Sequence, residues 1–214
     1  MTIKLLFVCD GPRDAPCVPR IVERILETPV TEDCRIWARL NDKEQRPAKG
    51  LARKIQFAIR QAKDSGAAGL IATVDRDKEA RHSRLKDMQE GRNLDRTANA
   101  IFPTALGEAD PHFEAWLLDD PVAVRTVLGL ASNHPIPVVT KVVSPKVEID
   151  KLIDLRASRN ESGYPAPQTR LLTLADIARQ VDLGRCQHDK EIGLKAFADD
   201  VKRELRPLLL GKCP

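Results

Sequence analysis

Gly69-Leu-Ile-Ala-Thr-Val-Asp75-Arg-Asp77 is the stretch that decides how this chain folds. A run without charge, whose one hydroxyl belongs to Thr73, stops abruptly at a pair of carboxylates. So short an apolar run, following the helix-ending pair Ser65-Gly66, reads as a strand buried on both faces. The same design occurs at the start of the chain, where Ile3 to Cys9 runs into Asp10-Gly-Pro-Arg-Asp14. It occurs a third time where Ala100 to Leu106 precedes Glu108-Ala-Asp110, with Glu114 just beyond. In an open α/β sheet the carboxyl ends of parallel strands lie along one edge, and ligands bind there. Three acidic clusters are therefore expected to gather at one sheet edge.

The segments between these runs carry helical periodicity. Ala15 to Glu27 places Val18, Ile21, Val22, Ile25 and Leu26 at spacings of three and four, with Asp14 as a candidate N-cap. Cys34 to Leu40 reads as a second strand, Lys49 to Lys63 as an amphipathic helix and Lys78 to Gly91 as a polar helix. Asn99 to Leu106 reads as a strand, and Pro111 to Leu118 and Pro121 to Leu130 as helices. This alternation predicts an α/β fold over residues 1–130, a mainly parallel sheet flanked by helices. Asn133-His-Pro-Ile-Pro then breaks the pattern. Lys146 to Leu155, Thr169 to Val181 and Glu191 to Leu209 read as helices, so residues 131–214 are expected to form a C-terminal helical subdomain packed on the sheet.

Composition narrows the function classes. An apolar fraction of 42% and a charged fraction of 31% are globular values, and 4% aromatics require an aliphatic core. No apolar run reaches the roughly 20 residues that span a bilayer. The N-terminal apolar stretch enters Asp10-Gly without a small-residue cleavage site and reads as a first strand, so a soluble cytoplasmic protein is expected. Cysteines at 9, 17, 34, 186 and 213 form no CxxC pair and read as reduced thiols. The formal charge of +4 proves little, but Arg35, Arg39, Lys43, Arg46, Lys49, Arg53, Lys54, Arg60 and Lys63 crowd one segment. That segment could track a phosphate backbone or form a solvated helix face.

Each acidic cluster has a functional and a structural reading. Asp75 and Asp77 point the same way in extended chain and could chelate Mg²⁺ or Mn²⁺, hard cations that prefer oxygen, whereas a helix cap needs only one of them. Asp10-Gly-Pro is also ordinary turn chemistry. Glu114 lies in the apolar stretch Phe113-Glu-Ala-Trp-Leu-Leu and, if buried, must be paired with a cation or bound to a metal. His112 is near enough to act as a ligand or acid, whereas His82 and His188 read as exposed. Trp37 and Trp116 read as packing residues, and no Walker or Rossmann glycine pattern occurs.

An acidic residue followed by Gly after the first strand, then Asp-x-Asp after a later one, resembles the Toprim signature of nucleases, primases and topoisomerases. The chain resembles most a bacterial branch near the RloB-like and OLD-family nucleases of mobile elements and phage defence. There, segments similar to Phe113-Glu114-Ala-Trp116-Leu-Leu and Ser144-Pro145-Lys146 follow. The resemblance implies a Mg²⁺- or Mn²⁺-dependent nuclease acting on nucleic acid. Asp10, Asp75, Asp77 and Glu114 would hold metal. Asp14 would support a second ion or orient water, and Lys146, Arg13 and Arg76 would meet phosphate. Asp10 departs from the Toprim glutamate by one methylene, which draws the carboxylate back by about one C–C bond, ~1.5 Å. Two-metal sites need their ions about 3.5–4 Å apart. The departure opens the alternative of a catalytically degenerate scaffold that binds nucleic acid or a partner protein. A third alternative makes Asp10 a phosphate-accepting nucleophile.

Overall fold

The computed structural model describes residues 2–40, 50–76, 83–98, 101–159 and 167–210. Asp77, His82, Lys43, Arg46, Lys49 and Cys213 lie outside them. The first half alternates β1 (Ile3–Cys9), α1 (Val18–Leu26), β2 (Val30–Ile36), α2 (Leu51–Asp64), β3 (Gly69–Asp75), α3 (Arg84–Ala98) and β4 (Thr104–Ala109). Helices follow: α4 (Glu114–Leu118), α5 (Pro121–Leu128), α6 (Pro145–Arg159), α7 (Pro167–Gln180) and α8 (Leu194–Leu209). The four strands form one parallel sheet in the order β2-β1-β3-β4. The fold is α/β, with C-terminal helices packed directly on the sheet.

Strand alternation divides the interior into two cores. Leu5, Phe7, Cys9, Ile71 and Ala105 face α1 and the helices from α4 to α8, so the C-terminal helices share a core with α1. Leu6, Val8, Leu70, Ala72, Val74 and Leu106 face α2 and α3. On that second face a Cβ at Gly91 would stand 2.1 Å from the Ala52 carbonyl oxygen, so the glycine lets α3 lie against the backbone of α2. On the first face a Cβ at Gly107 would come within 2.6 Å of the Phe197 ring, which stacks on Trp116 with centroids 5.0 Å apart.

β4 is an edge strand, and edge strands expose unpaired backbone groups. Here side chains cover them. Asp200 of α8 accepts from Leu106 N at 2.8 Å, and buried Arg92 of α3 donates to Thr104 O at 3.0 Å and to Asp200 at 2.8 Å.

Several sequence expectations shift. The last strand lies at Thr104–Ala109, not at 99–106, so Glu108 belongs to it, and the helix before it runs to Ala98, not to Gly91. The second strand lies at Val30–Ile36, not at 34–40. Its polar Thr31, Glu32 and Asp33 face solvent on the other sheet edge, while Trp37 begins a 3₁₀ turn and donates from its indole to Thr73 O at 2.8 Å. Asp14 is not the cap of α1. The N-cap is Cys17, whose side chain makes no capping bond and donates instead to Arg13 O at 3.2 Å, and Pro19 sets the first turn. His188 is half-buried, its Nδ1 2.9 Å from buried Asp119. Both tryptophans pack in the interior, and Trp116 donates to Ile192 O at 2.7 Å.

Candidate acidic site at the sheet edge

From β1 the chain passes to β2 on one side, and β3 lies on the other. The crevice between the carboxyl ends of β1 and β3 is thus the topological switch point, where α/β sheets bind ligands. Asp10 follows the last residue of β1, and Asp75 is the last residue of β3. A cavity of about 290 Å³ opens there, and Asp10, Arg13, Asp14, Asp75, Glu114 and Lys146 all line it, as do Gly11, Pro12 and His112.

The turn after β1 folds back on itself. Asp14 Oδ2 accepts from Gly11 N at 3.0 Å, which turns the carboxylate toward the strand ends, and Asp14 is only 6% exposed. Burial and the negative charges of Asp75, Glu114 and Asp10 raise its pKa to about 8, against the pull of the Gly11 bond. Asp75 accepts from Phe113 N at 2.8 Å, and its other oxygen stands 3.4 Å from His112 Nδ1. Burial raises its pKa to about 6. The Phe113 bond works against that rise, Asp10 and Glu114 add to it, and His112 counters it.

The other two carboxylates have arginine partners. Glu114, 3% exposed at the start of α4, contacts Arg13 Nε at 2.6 Å. The remaining guanidinium nitrogens of Arg13 donate to Asp150 of α6 at 3.1 and 3.0 Å. Asp10 accepts both Arg84 nitrogens, at 3.1 and 3.2 Å, and lies 3.4 Å from Asp75 N. Both Asp10 oxygens are thus engaged by one guanidinium.

Not all of the acidic clusters reach the cavity. Glu108 accepts from Leu85 N at 3.0 Å and from the Ser83 hydroxyl at 3.1 Å, so it caps α3, where a negative charge suits the helix dipole. Arg76 turns to Asp110 at 2.9 Å and lines a separate small cavity. Within the basic segment, Arg35 bonds Gln61 and Asp33, and Lys63 reaches Asp95 at 3.5 Å.

Arg84 and Asp150 are site residues that sequence reasoning missed, and each had a signal. An arginine at the first position of a helix opposes the macrodipole and needs a local reason. Asp150 follows Lys146 by four residues, which puts the two on one helix face.

Comparison of the chain with known protein families, with curated proteins and with solved structures returned no match in any of the three.

The donor chemistry suits a hard divalent cation. Asp14 and Asp75 are carboxylates drawn from water, mutually repelling and, among the described residues, not engaged by an arginine, and Asp10 adjoins Asp75. Arg84 takes Asp10 and Arg13 takes Glu114, and among the described residues no three acidic, histidine or cysteine side chains are grouped to hold a metal.

Proposed function

We propose that this chain processes phosphodiester bonds of nucleic acid with the aid of Mg²⁺ or Mn²⁺ held at the switch-point cavity. The observation that carries the reading is Asp14. It is a nearly buried carboxyl with three other carboxylates around it, its pKa raised to about 8, in the crevice where this topology binds ligands. Such a cluster lowers its free energy by taking up either protons or a cation.

Asp14 and Asp75 would hold the cation, with Asp10 joining them once released from Arg84, while Glu114, expected as a ligand, is taken up by Arg13. A bound Mg²⁺ or Mn²⁺ supplies Lewis-acid polarisation of a phosphoryl oxygen and acidifies water. Lys146, exposed at the N-terminal turn of α6, meets the phosphate at the cavity mouth. Arg13, gripped by Glu114 and Asp150, positions Glu114. His112 lies beside Asp75, its Nδ1 3.4 Å from the carboxylate. With few aromatics, contact with nucleic acid rests on the backbone and not on base stacking.

The arginines on Asp10 and Glu114 favour a second reading, a scaffold whose acidic site is neutralised internally and which binds nucleic acid or a partner protein without cleaving. The test is cleavage of labelled single- and double-stranded DNA and RNA with Mn²⁺, comparing wild type with Asp75→Ala. A loss of about a hundredfold or more is expected, because metal polarisation contributes several kcal/mol. Equal cleavage by both proteins removes the site from the reaction. No cleavage by wild type, with nucleic-acid binding retained, selects the scaffold.

A further inference from the structure

We infer that Arg84 is a built-in counter-ion that competes with the cation for Asp10. The inference rests on the metal reading above and adds a residue that controls it. The fork geometry is specific. Nη1 and Nη2 each take one Asp10 oxygen, at 3.1 and 3.2 Å, and Nη1 also donates to Asp75 O at 2.9 Å. One guanidinium therefore clasps both strand ends of the switch point. The clasp has a fixed base. Arg84 opens α3, and Glu108 holds the flanking residues through Ser83 Oγ at 3.1 Å and Leu85 N at 3.0 Å. Glu108 itself lies on β4, so the sheet sets the reach of the arginine.

Bidentate guanidinium–carboxylate pairs are among the stronger polar contacts, and this one is about a quarter exposed, 27% at Arg84 and 25% at Asp10. A cation that takes Asp10 must displace the guanidinium. Among the described residues, Asp14 and Asp75 remain as the two cavity carboxylates without an arginine partner. The site rests closed by an internal positive charge and opens to a divalent one.

The experiment is Mn²⁺ calorimetry at fixed ionic strength on wild type, Arg84→Gln and Arg84→Lys, with unfolding curves to establish that each is folded. Removing the competitor is expected to tighten Mn²⁺ binding roughly tenfold in Arg84→Gln. Arg84→Lys keeps the charge but loses the fork, and is expected to fall between the two. Binding by Arg84→Gln where wild type shows none also supports the inference. Binding by wild type with no tightening in either folded variant overturns it and leaves the metal reading intact. No binding by any of the three overturns both.

Discussion

Replacing Asp14 by Asn makes a cation-free protein more stable, and the gain depends on pH. Asn is isosteric and keeps an oxygen to accept from Gly11 N, so the substitution removes charge with little change in packing. The Asp14 carboxyl titrates near 3.8 in ordinary surroundings and near about 8 in the folded chain. Below the lower value it is protonated in both states and contributes nothing. Between the two values the unfolded chain releases its proton while the folded chain keeps it, so the folded state is penalised by about 1.4 kcal/mol per pH unit. Above the higher value the penalty is constant. At pH 7 it has grown over roughly three units, to about 4 kcal/mol. For a domain of this size that corresponds to roughly 10 °C in melting temperature. Thermal unfolding in EDTA, at pH 4 and pH 7, should show Asp14→Asn melting higher than wild type at pH 7 and nearly level with it at pH 4. Equal stability at pH 7, or a gap that does not change with pH, would refute a buried, charge-crowded Asp14.

Three further outcomes test the frame that holds the site. Asp120→Ala removes a fully buried carboxylate that caps α5 at Val122 and Ala123, both at 3.1 Å, and accepts from Asp182 N and Arg185; urea unfolding should show a loss of about 3 kcal/mol. Asp200→Ala leaves buried Arg92 without its 2.8 Å partner and Leu106 N without an acceptor, and should cost about 3–5 kcal/mol in the same assay. Gly91→Val drives a side chain into the Ala52 backbone and should cost about 3 kcal/mol, with loss of near-ultraviolet circular dichroism from the core.

Much of this frame was legible because the strands that matter are buried on both faces. Gly69 to Val74 and Ile3 to Cys9 have no charge except Lys4, so their ends, and hence Asp75 and Asp10, could be located. β2 was harder to place. As an edge strand it carries Thr31, Glu32 and Asp33, and the apolar residues that suggested a strand farther on, Trp37 and Leu40, instead cover the α2 side of the sheet. The gathering of Asp10, Asp14, Asp75 and Glu114 follows from topology, because parallel strands deliver their following segments to one edge. The pairings did not follow. Arg84 and Asp150 come from helices whose distance to the site is set by packing, not by spacing along the chain. Glu108 is one residue from the end of its strand, so its side chain serves the helix beside it and not the crevice.

The cover over β4 has a consequence for how the chain is made. Asp200 lies 94 residues beyond Leu106, the edge residue whose amide it accepts. Any nascent or truncated chain that stops short of it leaves the β4 flank without this cover. Contacts of such long sequence separation form late and leave sheet edges open to wrong partners in the interval. The other flank carries its own protection in Glu32 and Asp33. Misassembly during synthesis should therefore be one-sided, with strangers adding at β4 until α8 arrives to displace them.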